Sequence, residues 1–421
     1  MMIELVLVTS SITLLLFVIN EFRAYYYIKA PEIFVKSGSH LHKKLCENCS
    51  SLLDREFVPT FWAFNGHLQT WLKTLVSFNE CPKITHTREY LQMEDDGIVS
   101  IDWVSKVTDA EPSVNNPRRQ RRRRSLKKKS IMVKERPILF IIPNALNTNV
   151  EDYADLCILA ISKGFKPIFF NRRGYSQTVL TTSKVTTFND QSDLEETLKY
   201  LNSLFPFSGI YAVAFSMESG NLISYLGHHE RHDSLIAGAV CISSTFGCES
   251  HMDEHAMKQP YNSIITEKIK TMFQGNAPTT ASTRLFDNEG VQKCQTMVSL
   301  QNEIHARCND YETLKEYLNY NNPLTHLRHI EVPVLFIHAK DDPIVPEVAV
   351  PYEFFGISDW CIMLTTEQGG HCGFFKDSSP SSWADEQAVD FLKFIRKKWK
   401  APPVNNNTFY PGARGRSMTI L

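Results

Sequence analysis

Three residues that could together form a hydrolytic site occur in the chain order serine, acid, histidine. Ser216 follows the apolar run 210–215 and precedes a stretch with helical character. Asp342 and His371 each follow a further apolar run. A serine hydroxyl becomes an effective nucleophile when a histidine accepts its proton and an acid orients that histidine. These residue types, each at the end of a strand-like run, predict a Ser-His-Asp triad in which Ser216 lies on a strand–turn–helix elbow.

Two neighbouring residues compete for these roles. Asp341 directly precedes Asp342, but the residues around Asp342 are similar to a G-x-x-D-x-x-V acid loop, which favours the second aspartate. Ser219 is a second serine of the same turn. The residues before it are not strand-like, so elbow geometry favours Ser216 as the nucleophile.

Acyl transfer also requires hydrogen-bond donors for the oxyanion that forms at the substrate carbonyl. The backbone N–H of Met217, which follows the serine, is the first candidate. The second donor is expected in the loop after the apolar run 138–143, where Asn144 and Ala145 stand. Backbone donors do not depend on side-chain identity, so the sequence permits a complete oxyanion hole.

The turn around the serine departs from the G-x-S-x-G pattern. Ala214 and Glu218 occupy the two flanking glycine positions. A glutamate crowds a turn where strand and helix pack closely, and its charge would oppose the oxyanion. The sequence therefore predicts that Glu218 lowers turnover and that Glu218→Gly raises it. An alternative function is a catalytically weak membrane protein that retains the fold and acts through protein interactions in lipid metabolism.

Strand-like and helical segments alternate from residue 137 onward. The predicted strands cover residues 138–143, 167–171, 210–215, 236–243, 334–338 and 361–365. Helical patterns cover residues 150–163, 190–204, 222–229 and 383–398. Such alternation predicts an α/β fold with a mostly parallel sheet covered by helices on both faces. The segment at about 245–330 is too long for a loop, and its helical periodicity predicts a cap insertion.

Composition excludes several classes of protein. The 421 residues carry a formal net charge of −1, which gives no general attraction to nucleic acid. The 10 cysteines are too sparse for a disulfide-framed fold. Residues 112–136 contain a dense run of arginine and lysine, which predicts a disordered insertion within a domain spanning 30–400. Residues 401–421 have the composition of a C-terminal tail.

The N-terminal residues 1–29 include an uncharged apolar stretch at 5–19, followed by aromatic residues. This length is near that needed to span a bilayer, and no cleavage-site pattern follows it. The segment predicts a signal-anchor and a single-pass protein of the endoplasmic reticulum or another endomembrane. A cleaved signal peptide followed by secretion is the alternative.

Several short motifs resemble those of one known family. They are Gly66-His67-Leu68-Gln69-Thr70, Asn171-Arg172-Arg173-Gly174, Ser216-Met217, Tyr225-Leu226-Gly227, Ala339-Lys340-Asp341-Asp342-Pro343 and Gly369-Gly370-His371-Cys372-Gly373-Phe374. Together they are similar to the membrane-anchored α/β-hydrolase-domain proteins of the AB hydrolase 4 family, over about residues 55–395.

The resemblance implies an α/β-hydrolase fold, an N-terminal anchor and hydrolysis of acyl esters of lipids. It places the nucleophile at Ser216, the acid at Asp342 and the base at His371. No cofactor or metal is implied. The expected partners are a lipid or acyl-ester substrate and a membrane. Nucleic acid is not an expected partner, and a protein partner is compatible with the sequence.

Overall fold

The computed structural model describes most of the chain between residues 11 and 399. The described residues are 11–19, 29–48, 56–75, 84–107, 136–145, 148–182, 184–185, 187, 189–247, 260–275, 288–306, 311–376 and 381–399.

The described residues contain a nine-stranded sheet and a short separate hairpin. The strands of the sheet are β1 (Glu32–Phe34), β2 (Ile84–Gln92), β3 (Ile98–Lys106), β4 (Ile138–Ile142), β5 (Lys166–Asn171), β6 (Ile210–Phe215), β7 (Ile236–Ile242), β8 (Val334–Ala339) and β9 (Cys361–Thr366). Their spatial order is β1-β9-β8-β7-β6-β4-β5-β3-β2. All pairings from β5 through β4 to β9 are parallel, whereas β1, β2 and β3 pair antiparallel. Strands β10 (Phe375–Lys376) and β11 (Ser381–Ser382) form the hairpin.

Helices cover both faces of this sheet. In chain order the helices up to β7 are α1 (His40–Asn48), α2 (Gly66–Leu75), α3 (Ala154–Ser162), α4 (Ser192–Leu204) and α5 (Glu218–His228). Those after β7 are α6 (Tyr261–Gly275), α7 (Asn288–Lys293), α8 (Met297–Gln301), α9 (Leu314–Tyr320), α10 (Leu324–Leu327), α11 (Tyr352–Phe355) and α12 (Trp383–Lys398). Helices α3 and α12 bury their apolar residues in one cluster, and α4 and α5 do so in another.

The central strands are buried on both sides because their residues alternate between these two clusters. Leu139 and Ile141 of β4 belong to the first cluster, whereas Ile138, Phe140 and Ile142 belong to the second. Continuous apolar strands of this kind are typical of a parallel sheet between two helical layers. The predicted α/β architecture is confirmed, and the six predicted strands correspond to β4 through β9.

The described parts of the segment between β7 and β8 are mainly helical and include α6 to α10. Apolar residues of α6, including Tyr261 and Ile265, pack with Ile344 and Val345 in the loop that follows β8. Tyr317 of α9 belongs to a smaller cluster against which Met217 packs. These contacts place the inserted helices beside the loops that carry the predicted site, as a cap would lie. The extent of the cap at 245–330 stays a prediction.

The predicted terminal segments lie largely outside the described residues. The basic insertion falls there apart from Arg136, and the tail 401–421 falls there entirely. Of the predicted anchor at 1–29, residues 11–19 are described as helical. Within the described part of the chain, no helix is long and apolar enough to cross a membrane. The membrane helix is therefore not supported by the structure.

Candidate active site

Ser216 lies in the turn between β6 and α5 and has a positive φ, which residues of strands and right-handed helices do not adopt. Its φ is 56°, in the left-handed region that a non-glycine residue adopts at a cost of about 1–3 kcal/mol. The Ser216 N–H donates to the Ile242 carbonyl at 2.9 Å, which ties the turn to the end of β7. This strained turn presents the serine hydroxyl above the carboxyl ends of the strands, as a nucleophile elbow does.

The structure brings the three predicted residues of the triad into one hydrogen-bonded chain. The Ser216 hydroxyl lies 2.7 Å from His371 Nε2, and His371 Nδ1 lies 2.8 Å from Asp342 Oδ2. With a neutral imidazole protonated at Nδ1, the serine donates to Nε2 and Nδ1–H donates to the carboxylate. This is the arrangement in which the serine proton can pass to the histidine during attack.

The acid next to His371 is Asp342 and not Asp341. Asp342 Oδ1 accepts the backbone N–H groups of Ile344 at 2.8 Å and Val345 at 2.9 Å, so the orientation of its carboxylate is fixed. Asp341 Oδ1 instead accepts the Gly370 N–H at 2.8 Å. Asp341 therefore holds the backbone of the histidine loop, whereas Asp342 faces the imidazole.

Burial and charge act in opposite directions on the pKa values of the pair. Burial alone raises the pKa of Asp342, but His371 and the backbone N–H donors outweigh it, and the net pKa lies below its ordinary value. Burial alone lowers the pKa of His371, but the Asp342 carboxylate outweighs it and raises the pKa well above 6.5. Burial raises the pKa of the adjacent Asp341 to about 6.

We expect hydrolysis to fall as the pH is lowered, with a midpoint above 6.5. The base must be the neutral imidazole, and the raised pKa of His371 keeps it protonated to a higher pH than an ordinary histidine. The measurement is the pH profile of kcat/KM for a soluble ester. A wild-type midpoint well below 6.5 would contradict the assignment of His371 as the base.

The candidate oxyanion donors differ in their availability. The Asn144 N–H donates to the Tyr153 hydroxyl at 2.9 Å and is therefore already engaged. In the described part of the chain, no other residue accepts from the N–H of Met217 or of Ala145. The Asn144 N–H would have to leave the Tyr153 hydroxyl to serve as an oxyanion donor, so its role stays a prediction. Met217 and Ala145 stay the predicted donors.

Glu218 has a buried partner that the sequence did not reveal. Its Oε1 lies 2.5 Å from the Arg172 guanidinium, and both side chains are nearly inaccessible to solvent. Burial raises the pKa of Glu218 above its ordinary value, although Arg172 lowers it in part. Arg172 also lies over the Tyr175 ring, 4.1 Å from its centre. Arg172, which directly follows β5, therefore compensates the charge of Glu218. A compensated carboxylate opposes the oxyanion less, which weakens the prediction that Glu218 lowers turnover.

Ser219 is not placed to serve as the nucleophile. Its hydroxyl donates to the Ser216 carbonyl at 2.5 Å and is fully buried. This bond closes the first turn after the elbow. The competing prediction for Ser219 is not supported by the geometry, because His371 Nε2 faces the other serine.

The order of the sheet and the strand–turn–helix elbow at Ser216 are those of the α/β-hydrolase fold. Over 80% of its length the chain is 29% identical to human protein ABHD15, covering 68% of that protein. It is 23% identical to human phospholipase ABHD3, covering 88% of this chain and 87% of the relative. The predicted resemblance to an ABHD-type family of α/β-hydrolases is therefore confirmed.

Comparisons with family profiles and with solved structures give no further information about function. No known family profile matches the chain. An esterase of Pyrococcus furiosus with a solved structure aligns at a TM-score of 0.44 and 15% identity, over 77% of this chain and 96% of the esterase.

Proposed function

We propose that this protein is a serine hydrolase that cleaves acyl esters of lipids. The observation that carries the proposal is the continuous chain of hydrogen bonds from Ser216 through His371 to Asp342. The serine sits on a strained turn, and the acid is fixed by backbone donors, so the three groups are held in position before substrate binds.

The proposed reaction proceeds through an acyl-enzyme. The Ser216 oxygen attacks the ester carbonyl while His371 Nε2 accepts the hydroxyl proton. The Met217 and Ala145 N–H groups stabilise the oxyanion, and Asp342 stabilises the imidazolium. His371 then gives its proton to the departing alcohol. Water enters next, and His371 activates it to hydrolyse the acyl-enzyme and regenerate the serine.

A lipid ester is the substrate class that the relatives favour, since one of them is named a phospholipase. The assay is hydrolysis of a panel of phospholipids, acylglycerols and short p-nitrophenyl esters by the purified full chain. Wild type is expected to hydrolyse at least one class, and Ser216→Ala is expected to hydrolyse none of them. Equal activity of the two proteins on every ester would refute the proposal.

We also propose that the protein acts at a membrane. The helical residues at 12 and 14–19 have apolar side chains with 44–65% of their surface exposed. Apolar side chains exposed along a helix gain free energy when they enter a bilayer or its interface. Carbonate-washed membranes are expected to retain the full chain, and a variant that begins at Ala30 is expected to be extracted more readily. Complete extraction of the full chain would contradict this proposal.

A further inference from the structure

The backbone of the loop that carries His371 donates hydrogen bonds to four side chains from three other parts of the chain. We define the His371 loop as residues 369–375. The Gly370 N–H donates to Asp341 and the His371 N–H donates to Thr70 Oγ1, both at 2.8 Å. The two remaining bonds run from Cys372 N–H to Ser243 Oγ at 2.9 Å and from Phe375 N–H to Gln69 Oε1 at 2.7 Å.

The backbone of this loop needs such support because four of its residues have positive φ. The angles are 144° at Gly369, 58° at Gly370, 60° at Cys372 and 51° at Phe374. Each of the two non-glycine residues costs about 1–3 kcal/mol in such a conformation, which persists only where the surroundings fix it. The position of the imidazole thus depends on the contacts that hold the loop.

Two of the four supports come from adjacent residues of α2. Gln69 is fully buried, and its amide also donates to the Ala63 carbonyl at 2.7 Å and the Phe375 carbonyl at 3.1 Å. The Thr70 hydroxyl donates to the Gly66 carbonyl at 2.6 Å while it accepts the His371 N–H. Because the same hydroxyl donates one hydrogen bond and accepts another, its orientation is fixed, and Thr70 thereby sets the position of the His371 backbone.

Helix α2 and the His371 loop also pack so closely that no side chain fits at Gly66 or Gly370. A Cβ added at Gly370 would lie 2.3 Å from the Gly66 carbonyl oxygen and 2.7 Å from Thr70 Oγ1. A Cβ added at Gly66 would lie 2.0 Å from the Asp341 carbonyl oxygen. The start of α2 therefore packs directly against the His371 loop and against the loop that follows β8.

We propose that Gln69 and Thr70 are positioning residues for the base of the reaction. This inference rests on the proposed function, because it assigns to these residues the alignment of His371 with Ser216. Neither side chain takes part in the bonds that form or break. They act through the backbone of the His371 loop. In this way the segment Gly66-His67-Leu68-Gln69-Thr70 contributes to the site, although it precedes all the parallel strands in the chain.

The test is Thr70→Val, which keeps the shape of the side chain and removes the acceptor of the His371 N–H. Reaction of Ser216 with a fluorophosphonate is expected to slow by about ten- to a hundredfold, since a displacement of about 1 Å can cost on the order of 10²-fold. For a short ester, kcat is expected to fall while KM stays near wild type. Thr70→Ser restores the hydroxyl and is expected to recover the rate.

Thr74→Val is the matched control. Thr74 lies one turn further along α2, and its hydroxyl donates to the Thr70 carbonyl at 2.8 Å. Its hydroxyl makes no hydrogen bond to the His371 loop within the described residues. If the effect of Thr70→Val were only a loss of helix stability, Thr74→Val would slow labelling equally, and that result would overturn the inference.

Amide hydrogen exchange gives a readout that needs no activity. The His371 N–H is expected to exchange faster in Thr70→Val than in wild type or Thr74→Val, because it loses its acceptor. A folded Thr70→Val protein with wild-type exchange and wild-type labelling would overturn the inference. If Thr70→Val does not fold, Gln69→Met, which removes the acceptor of the Phe375 N–H, is tested by labelling of Ser216 and by exchange of the Phe375 N–H. Absence of labelling in the wild type would instead refute the proposed function, and the exchange measurement would still decide whether the loop is held.

Discussion

Asp342→Asn is expected to lower kcat for ester hydrolysis by about 10⁴-fold without unfolding the protein. The reason lies in the two oxygens of Asp342. Oδ1 accepts two backbone N–H groups, at Ile344 and Val345, so the oxygen of an asparagine must occupy that position. Its NH₂ group then faces His371 Nδ1, which must become the acceptor. The proton moves to Nε2, and the imidazole can no longer accept the proton of Ser216.

Asp341→Asn is the control for this prediction. An asparagine at 341 can still accept the Gly370 N–H through its amide oxygen, so we expect a far smaller loss of kcat. Steady-state kinetics on both variants, with thermal midpoints to confirm folding, make the comparison. If Asp341→Asn were the more damaging substitution, the assignment of the acid to Asp342 would be wrong.

Glu218→Gly is expected to destabilise the protein by about 3–5 kcal/mol. The substitution removes the partner of Arg172 and leaves a guanidinium buried without its counter-charge. This expectation reverses the one drawn from the sequence, where the same substitution relieves a crowded elbow and raises turnover. Urea unfolding of Glu218→Gly and Glu218→Gln measures the loss of stability through the transition midpoint.

Two controls accompany this measurement. Arg172→Met combined with Glu218→Gln removes both charges and is expected to recover much of the stability, because no unpaired buried charge remains. Glu289→Gln removes one member of an exposed ion pair with Lys293 and is expected to change stability by less than about 0.5 kcal/mol. A Glu218→Gly protein that is as stable as wild type and more active would restore the view that this residue restrains catalysis.

The parallel strands and the triad could be predicted because their signals are local. The strands β4 to β9 are continuous buried runs apart from half-buried Lys166 at the start of β5. Chain order places a serine, an acid and a histidine after the ends of three of them. The left-handed turn at Ser216 follows from the same strand–turn–helix pattern.

Other features of the site depend on contacts between distant residues. Arg172 and Glu218 are 46 positions apart, and Thr70 and His371 are 301 apart. The partner of an arginine or a threonine cannot be predicted from the residue type, because many surface positions carry the same residue types. Tyr153 likewise engages the Asn144 N–H from the helical turn that precedes α3. These pairings become visible only when the sheet order brings the loops together.

The central claim is that Ser216 is the nucleophile, and the most direct test is to locate the covalent adduct of a fluorophosphonate. The probe reacts with serines activated by a neighbouring base, and the adduct is assigned by peptide mass spectrometry after digestion. We predict one adduct per chain, on Ser216, which is absent in Ser216→Ala and strongly reduced in His371→Ala. An adduct on Ser219 or another residue, or a folded wild-type protein that does not react, would contradict the account.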